Sequence, residues 1–331
     1  MSSVLTLLMA SLQVGSPLAG LPVHSHTGER VDLAARRGVY QMIVLWRAPL
    51  PPEGERLAVR LSRIDARGMP LSVAVVSRDE VSRLRSRVSE HAVPPVLYSM
   101  GAAEPLTESF PGERVALLVN QSGKVIRSWR EFSLEALPDG VAAWFASDGL
   151  RPGEEAPLAL LPETVPRGKP LLLLFLSTRS GVVDLYSERI LSVAQAAEAH
   201  GVATVGLFSE ADETDEFIRE YATRARFPFP CLRDEGGVLA DLFRARVAPT
   251  AFLLNTEGKV VFSGAIDSST YGDADTRPYL RSAIEALAVG VAPAVAYARP
   301  FGTRLVLYRD APANGFKFTC ARTTSATHVT N

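Results

Sequence analysis

Continuous apolar runs in this chain alternate with stretches of helical spacing, and the alternation occurs twice in the same order. YQMIVLW (40–46) has no polar face, the pattern of a strand buried on both sides. PEGERLAVRLSRIDARG (52–68) follows with apolar residues at helical spacing and Gly68 as its stop. LSVAVVS then predicts a strand, RDEVSRLRSRVSEHA a helix, PPVLYS a short strand and RVALLVNQSGKVIRSW a hairpin, before SLEALPDGVAAWFAS closes the unit as a helix.

The second half repeats this order. PLLLLFLS and VATVGLFS predict strands, each followed by a helix, DLYSERILSVAQAAEAHG and ADETDEFIREYATRAR. FPFPCLRDE and a short helix, GGVLADLFRA, lead to the hairpin PTAFLLNTEGKVVFSGAI and a closing helix, TRPYLRSAIEALAVG. The two hairpins align directly, VALLVNQSGKVIRS against TAFLLNTEGKVVFS, so that Asn120 matches Asn255, Gly123 matches Gly258 and Lys124 matches Lys259. Glycine is required there because a tight turn needs positive φ. The lead-in segments match too, VGSPLAGLPV against RPGEEAPLALL, and an internal duplication is the plain reading. Gly and Pro cluster in SDGLRPGEEAP, which places the boundary between domains 1–149 and 150–310. Residues 311–331 form a polar tail without periodicity, expected to be disordered.

Composition narrows the function only a little. The 331 residues are 47% hydrophobic and 21% charged with a formal net charge of −1, enough apolar residue for a core in each half and no basis for nucleic acid or an acidic membrane as partner. No apolar run is long enough to span a bilayer. The apolar stretch Val4–Leu12 faintly resembles an export signal but lacks a basic flank; a cytoplasmic protein is expected, with export as the alternative. The two cysteines, Cys231 and Cys320, are far apart and make neither a disulfide framework nor a zinc motif.

The strand YQMIVLW, the Trp46 that ends it and the prolines of RAPLPPE are arranged as thioredoxin-like proteins arrange the approach to their redox cysteines. With VGSPLAG and HTGERVDL ahead of it, the first half resembles the thiol-disulfide reductase branch of the redoxins. The second half, with FPFPCLRDEGGVLADLFRARVAPTAFLLNTEGKVVFSGAID and RPYLRSAIEALAVG, resembles a bacterial branch of the same group, the alkyl hydroperoxide reductase/thiol-specific antioxidant type. The resemblance covers about residues 14–147 and 150–308. It implies an α/β protein with two thioredoxin-like domains in tandem, each a mixed β-sheet flanked by helices. It also implies a setting in cell redox homeostasis.

At the chemical positions the sequence departs from that family. Leu50 and Glu53 stand where the two thiols of the first half belong, and Arg114 where the proline before the hairpin belongs. In the second half Ser180 and Gly181 replace the usual Cys-Pro, and Gly302-Thr303 stands for a late Gly-Cys. Of the active-site frame Pro249 survives, and the resemblance implies a cis Ala248–Pro249 bond beside an open groove formed with Ser177, Thr178, Ser180 and Thr250.

Thiol exchange and peroxide reduction need an exposed, stabilised thiolate. Leu50 cannot ionise, and the Ser180 hydroxyl is too weak an acid to serve without a base. Ser180 therefore reads either as a nucleophile or, more simply, as a helix cap, with Ser177 and Thr178 equally suited and Ser209 capping the acidic helix start after it. Cys231, on a strand expected in the core, is a relocated redox thiol or a small buried hydrophobe. His24 and His26 lack further ligands at metal spacing, and no metal or cofactor is expected. The expected function is that of a pseudoenzyme that binds an extended peptide or protein at the Pro249 groove. The alternatives are a redoxin using Cys231 or a partner thiol, and a small-molecule site between the domains.

Overall fold

The computed structural model describes residues 12–309 apart from 19, 91–93, 95, 101–113 and 131. The tail after 310, with Cys320, and most of the apolar stretch 4–12 lie outside the described residues.

In the first half the strands are β1 (Pro22–Ser25), β2 (Arg30–Asp32), β3 (Tyr40–Trp46), β4 (Leu71–Ser77), β5 (Leu97–Ser99), β6 (Arg114–Val119) and β7 (Val125–Trp129). The helices are α1 (Pro52–Ser62), α2 (Val81–Glu90) and α3 (Ala136–Ala146). One sheet takes the order β2-β1-β5-β4-β3-β6-β7, with β3 parallel to β4 and antiparallel to β6. All seven residues of β3 are buried because each face has its own core, with Gln41 the one amide side chain among them. Met42, Val44 and Trp46 pack with Leu57 and Leu61 of α1 and Val141 and Phe145 of α3. Ile43 and Leu45 face Leu12, Leu21 and Leu33 of the lead-in.

The second half contains β8 (Leu171–Leu176), α4 (Gly181–Ala199), β9 (Ala203–Phe208), α5 (Asp215–Arg224), β10 (Cys231–Arg233) and α6 (Val238–Phe243). It continues with β11 (Val247–Ala248), β12 (Thr250–Leu254), β13 (Val260–Gly264), α7 (Tyr279–Ala288), β14 (Tyr297–Ala298) and β15 (Thr303–Arg304). Its sheet runs β10-β9-β8-β12-β13-β14, with β8 parallel to β9 and antiparallel to β12. In both sheets the first βαβ pair lies beside the hairpin, which is the thioredoxin-like arrangement, a mixed sheet flanked by helices.

The two hairpins receive their lead-in segments through the same bonds. Gly15 N–H donates to Val125 O and Val125 N–H to Ser16 O, while Gly153 N–H donates to Val260 O and Val260 N–H to Glu154 O. Leu18 N–H to Gly123 O is matched by Ala156 N–H to Gly258 O. Gly15 and Gly153 both hold left-handed backbone, with φ of 91° and 88°.

Two expectations about helices are corrected. The first helix stops at Ser62, with Arg63 as its C-cap, rather than running on to Gly68. The acidic helix is capped by Thr214, whose side chain accepts from Phe217 N–H; Ser209 instead donates to Asp234 Oδ2 at 2.8 Å. A cap stands immediately before the first helical residue and accepts from an amide two or three positions on; Thr214 directly precedes Asp215, whereas Ser209 lies six residues short of it.

The halves meet in a buried polar cluster. Tyr40 Oη donates to Asp241 Oδ1 at 2.7 Å, Asn120 Nδ2 to Asp241 Oδ2 at 3.1 Å, and Arg246 Nη1 pairs with Asp241 Oδ1 at 2.9 Å. The Arg246 guanidinium also lies over the Trp144 ring, 4.6 Å from its centroid. Burial opposes the Arg246 charge, but Asp241 outweighs it and holds the guanidinium above its ordinary range. Asn120 keeps the turn role of Asn255, accepting from Ser122 and Lys124 N–H, and adds this contact across the interface.

Candidate functional site

In the first half, β3 delivers the chain to α1 through Leu50. Far from facing solvent, as a redox position requires, Leu50 is buried. Its side chain lies over Gly54, where an added Cβ would come within 2.4 Å of Leu50 Cδ1 and 3.3 Å of the Trp46 ring. Its N–H donates to the buried Asp79 Oδ2 at 2.7 Å, and Asp79 is in turn braced by Arg83 and Arg87. Glu53 is exposed and pairs with Arg56 at 3.2 Å, a surface contact worth about 0–1 kcal/mol. Arg114 stacks on Trp46 and Phe132 and donates to Phe132 O at 3.2 Å, filling the place of the missing proline.

In the second half the expected residues do come together. Ser180 is the N-cap of α4: its Oγ accepts from Val183 N–H at 3.2 Å and donates to Thr303 Oγ1 at 2.7 Å, with Ala248 O at 3.4 Å. The Ala248–Pro249 peptide bond is cis. Thr250 Oγ1 donates to Val247 O at 2.7 Å. Ser177 Oγ donates to Glu210 Oε1 and Thr178 N–H to Glu213 Oε1. Gly181 opens the helix with free space where a Cβ would be.

The groove expected to be open beside Pro249 is filled by the chain itself. β15 pairs antiparallel with β11, Thr303 opposite Ala248 and Arg304 opposite Val247, and Leu305 N–H donates to Arg246 O at 2.9 Å. Ser177, Ser180, Ala248 and Thr250 are consequently buried. The strap seats because Gly302 has no Cβ: one added there would fall 2.1 Å from Ala248 O. It stays because Leu305 and Leu307 turn inward while Arg304 and Val306 face out, the alternation of a half-buried strand. That alternation is visible in TRLVLY, yet it is too short to stand out from loop.

Cys231 departs from expectation in the opposite direction. It lies on the edge strand β10 and is half-buried rather than in the core. Burial pushes its thiol up to about 12. At pH 7 the thiolate is then on the order of one part in 10⁵. Native Cys231 is expected to react slowly with Ellman's reagent at pH 7, accelerating about tenfold per pH unit through pH 10. A rate that levels off near pH 8 would show an activated thiol instead.

Sequence reading missed Glu210 and Glu213, which fasten the loop before α4. Glu213 accepts from both Thr178 and Glu210 N–H, and burial raises its carboxyl above the usual range despite those bonds. Their signal was the acidic run SEADETDEF, which also fits a solvated helix start.

No family model and no curated protein matches the chain. Solved structures do. A hypothetical protein from Sinorhizobium meliloti 1021 is similar at 21% identity over 49% of this chain and 97% of its own, with a TM-score of 0.43. An uncharacterized conserved protein from Geobacillus kaustophilus is similar at 20% identity over 50% and 94%, with a TM-score of 0.42. A peroxiredoxin Q of Xanthomonas campestris is similar at 22% identity over 38% and 89%, with a TM-score of 0.32. Among the described residues no helix is long and apolar enough to cross a membrane.

Proposed function

We propose that this protein acts by binding rather than by thiol chemistry, as a thioredoxin-fold pseudoenzyme whose redox positions have become structural ones. The observation that carries the reading is Ser180. Its oxygen is committed to capping α4 and its proton to Thr303, under a strap that excludes solvent and substrate alike. Nothing in that arrangement withdraws the proton, and no nucleophile is presented. Leu50 closes the corresponding position of the first half with apolar side chain.

The alternative redox reading through Cys231 is less well supported. β10 lies two strands from β8, about 10 Å by strand spacing, so its thiol is remote from Pro249. Its thiolate is disfavoured by burial. Capture of an extended partner at Pro249 fits the strand-pairing character of β11, but a partner reaches it only by displacing residues 302–305.

The test is turnover. Wild-type protein and Cys231→Ser are expected to reduce neither hydrogen peroxide nor insulin disulfides above the uncatalysed rate. Protein-dependent turnover that disappears in Cys231→Ser would establish the redox reading.

A further inference from the structure

We propose that the groove between α5 and β10 is a docking site for an acidic, extended peptide segment, which adds as a further strand to the edge of the second sheet. The inference deepens the binding function proposed above and rests on it.

Three features converge there. First, β10 is the outer strand of its sheet and, among the described residues, is bonded on one side only. Gly206 N–H donates to Pro230 O and Asp234 N–H to Phe208 O, so peptide groups at 230, 232 and 234 turn toward β9. By the alternation of a strand, Cys231 and Arg233 direct their N–H and C=O outward, away from the sheet. An edge of this kind is the template for strand addition.

Second, the edge is not bare. The groove beside it has a volume of about 570 Å³ and a wall formed by α5 and the turn after it. Ile218, Ala222 and Phe227 supply apolar contact for side chains on one face of an added strand. Phe227 is itself stacked on Phe229, with ring centroids 5.0 Å apart, which keeps that wall in place.

Third, the rim is basic. Arg219, Arg226 and Arg233 line it, all exposed, and none is ion-paired among the described residues. Asp215, at the first turn of α5, is the single carboxylate of the lining. Elsewhere in the second domain, Arg179 pairs with Asp212, Arg189 with Asp267, Arg244 with Glu154 and Arg246 with Asp241. Three uncommitted guanidiniums beside an open edge select carboxylates on the incoming strand, which guanidinium binds in bidentate geometry.

The probe is a fluorescein-labelled, acetylated hexapeptide of alternating Glu and Val, titrated against the full chain by anisotropy. Two control peptides replace Glu by Lys or carry N-methyl groups on alternate amides. Saturable binding is expected for the Glu peptide, weakening with added salt. It should fall at least tenfold in Arg219→Glu/Arg226→Glu, at least tenfold for the N-methylated peptide, and be lost for the Lys peptide. The bound Glu peptide should also slow labelling of Cys231. Both substituted arginines are exposed, and an unchanged melting temperature will show that the variant is folded.

Equal binding of the Glu and Lys peptides would overturn the acidic specificity, and equal binding of the N-methylated peptide the strand pairing. No saturable binding would overturn the site. A concentration-dependent dimer abolished by the same arginine substitutions would assign the edge to a second copy and also overturn the proposal. None of these outcomes depends on thiol turnover. An empty groove with inactive protein removes this site alone, whereas Cys231-dependent turnover removes the pseudoenzyme reading whatever the peptide does.

Discussion

Replacing Asp241 by Ala is expected to destabilise the protein by about 3–5 kcal/mol, the cost of removing one partner from a buried ion pair. Asp241 is 1% exposed and accepts from three side chains, Tyr40, Asn120 and Arg246, two of them in the other half of the chain. With the carboxylate gone, the Arg246 charge lies beside Trp144 without its Asp241 partner, the Tyr40 hydroxyl loses its acceptor, and the Asn120 amide keeps only its bond to Gly236 O. Urea denaturation should show a much lower midpoint, with the two sheets unfolding in separable steps once the cluster no longer couples them. The double variant Asp241→Ala/Arg246→Met should recover part of the loss because it removes the orphaned charge as well. A single-variant loss below about 1 kcal/mol would mean that the cluster is solvated and does not join the halves.

Gly302→Ala carries the second large effect. Gly302 has φ of 157°, and the new methyl would meet the Ala248 carbonyl, backbone that cannot swing aside as a side chain would. Overpacking of this kind costs about 1–3 kcal/mol, which is on the scale of what a short strap nets from two leucines and one pair of strand bonds once the entropy of ordering its backbone is subtracted. The strap is therefore expected to leave its groove in a large share of molecules. Limited proteolysis should cut between residues 300 and 309 many times faster than in the wild type, while the rest of the second domain stays intact. Unchanged proteolysis would mean that Gly302 is not what seats the strap.

The sequence made the sheets legible because their central strands are almost wholly apolar, and YQMIVLW and PLLLLFLS have no other stable place than between two cores. The hairpins were legible because Asn, Gly and Lys recur at the same turn positions, each with a bonding duty that only a tight turn explains. Long-range pairing was not legible. Nothing local in Asn120 distinguishes it from Asn255, although a partner 121 residues away gives it a second role. Nothing local in RAPLPPE marks Leu50 as buried, and Trp46 and Gly54 make the seat for it. Thr303 to Leu307 is a strand only because Val247 and Ala248 are there to pair with it. The gathering of Ser180 and Pro249 was anticipated from resemblance, and their closure was not, since the residues that close them come from more than 50 positions further along the chain.

Hydrogen exchange on the full chain tests that closure most directly. Three amides report it: Val183, held by Ser180 Oγ; Leu305, held by Arg246 O; and Ala211, held by Val306 O. If the strap seals the groove, all three exchange slowly, close to the amides of β12 that pair with β8. Exchange of Leu305 and Ala211 at the rate of free loop, with β12 still protected, would contradict the closed site and leave the edge beside Pro249 open in solution.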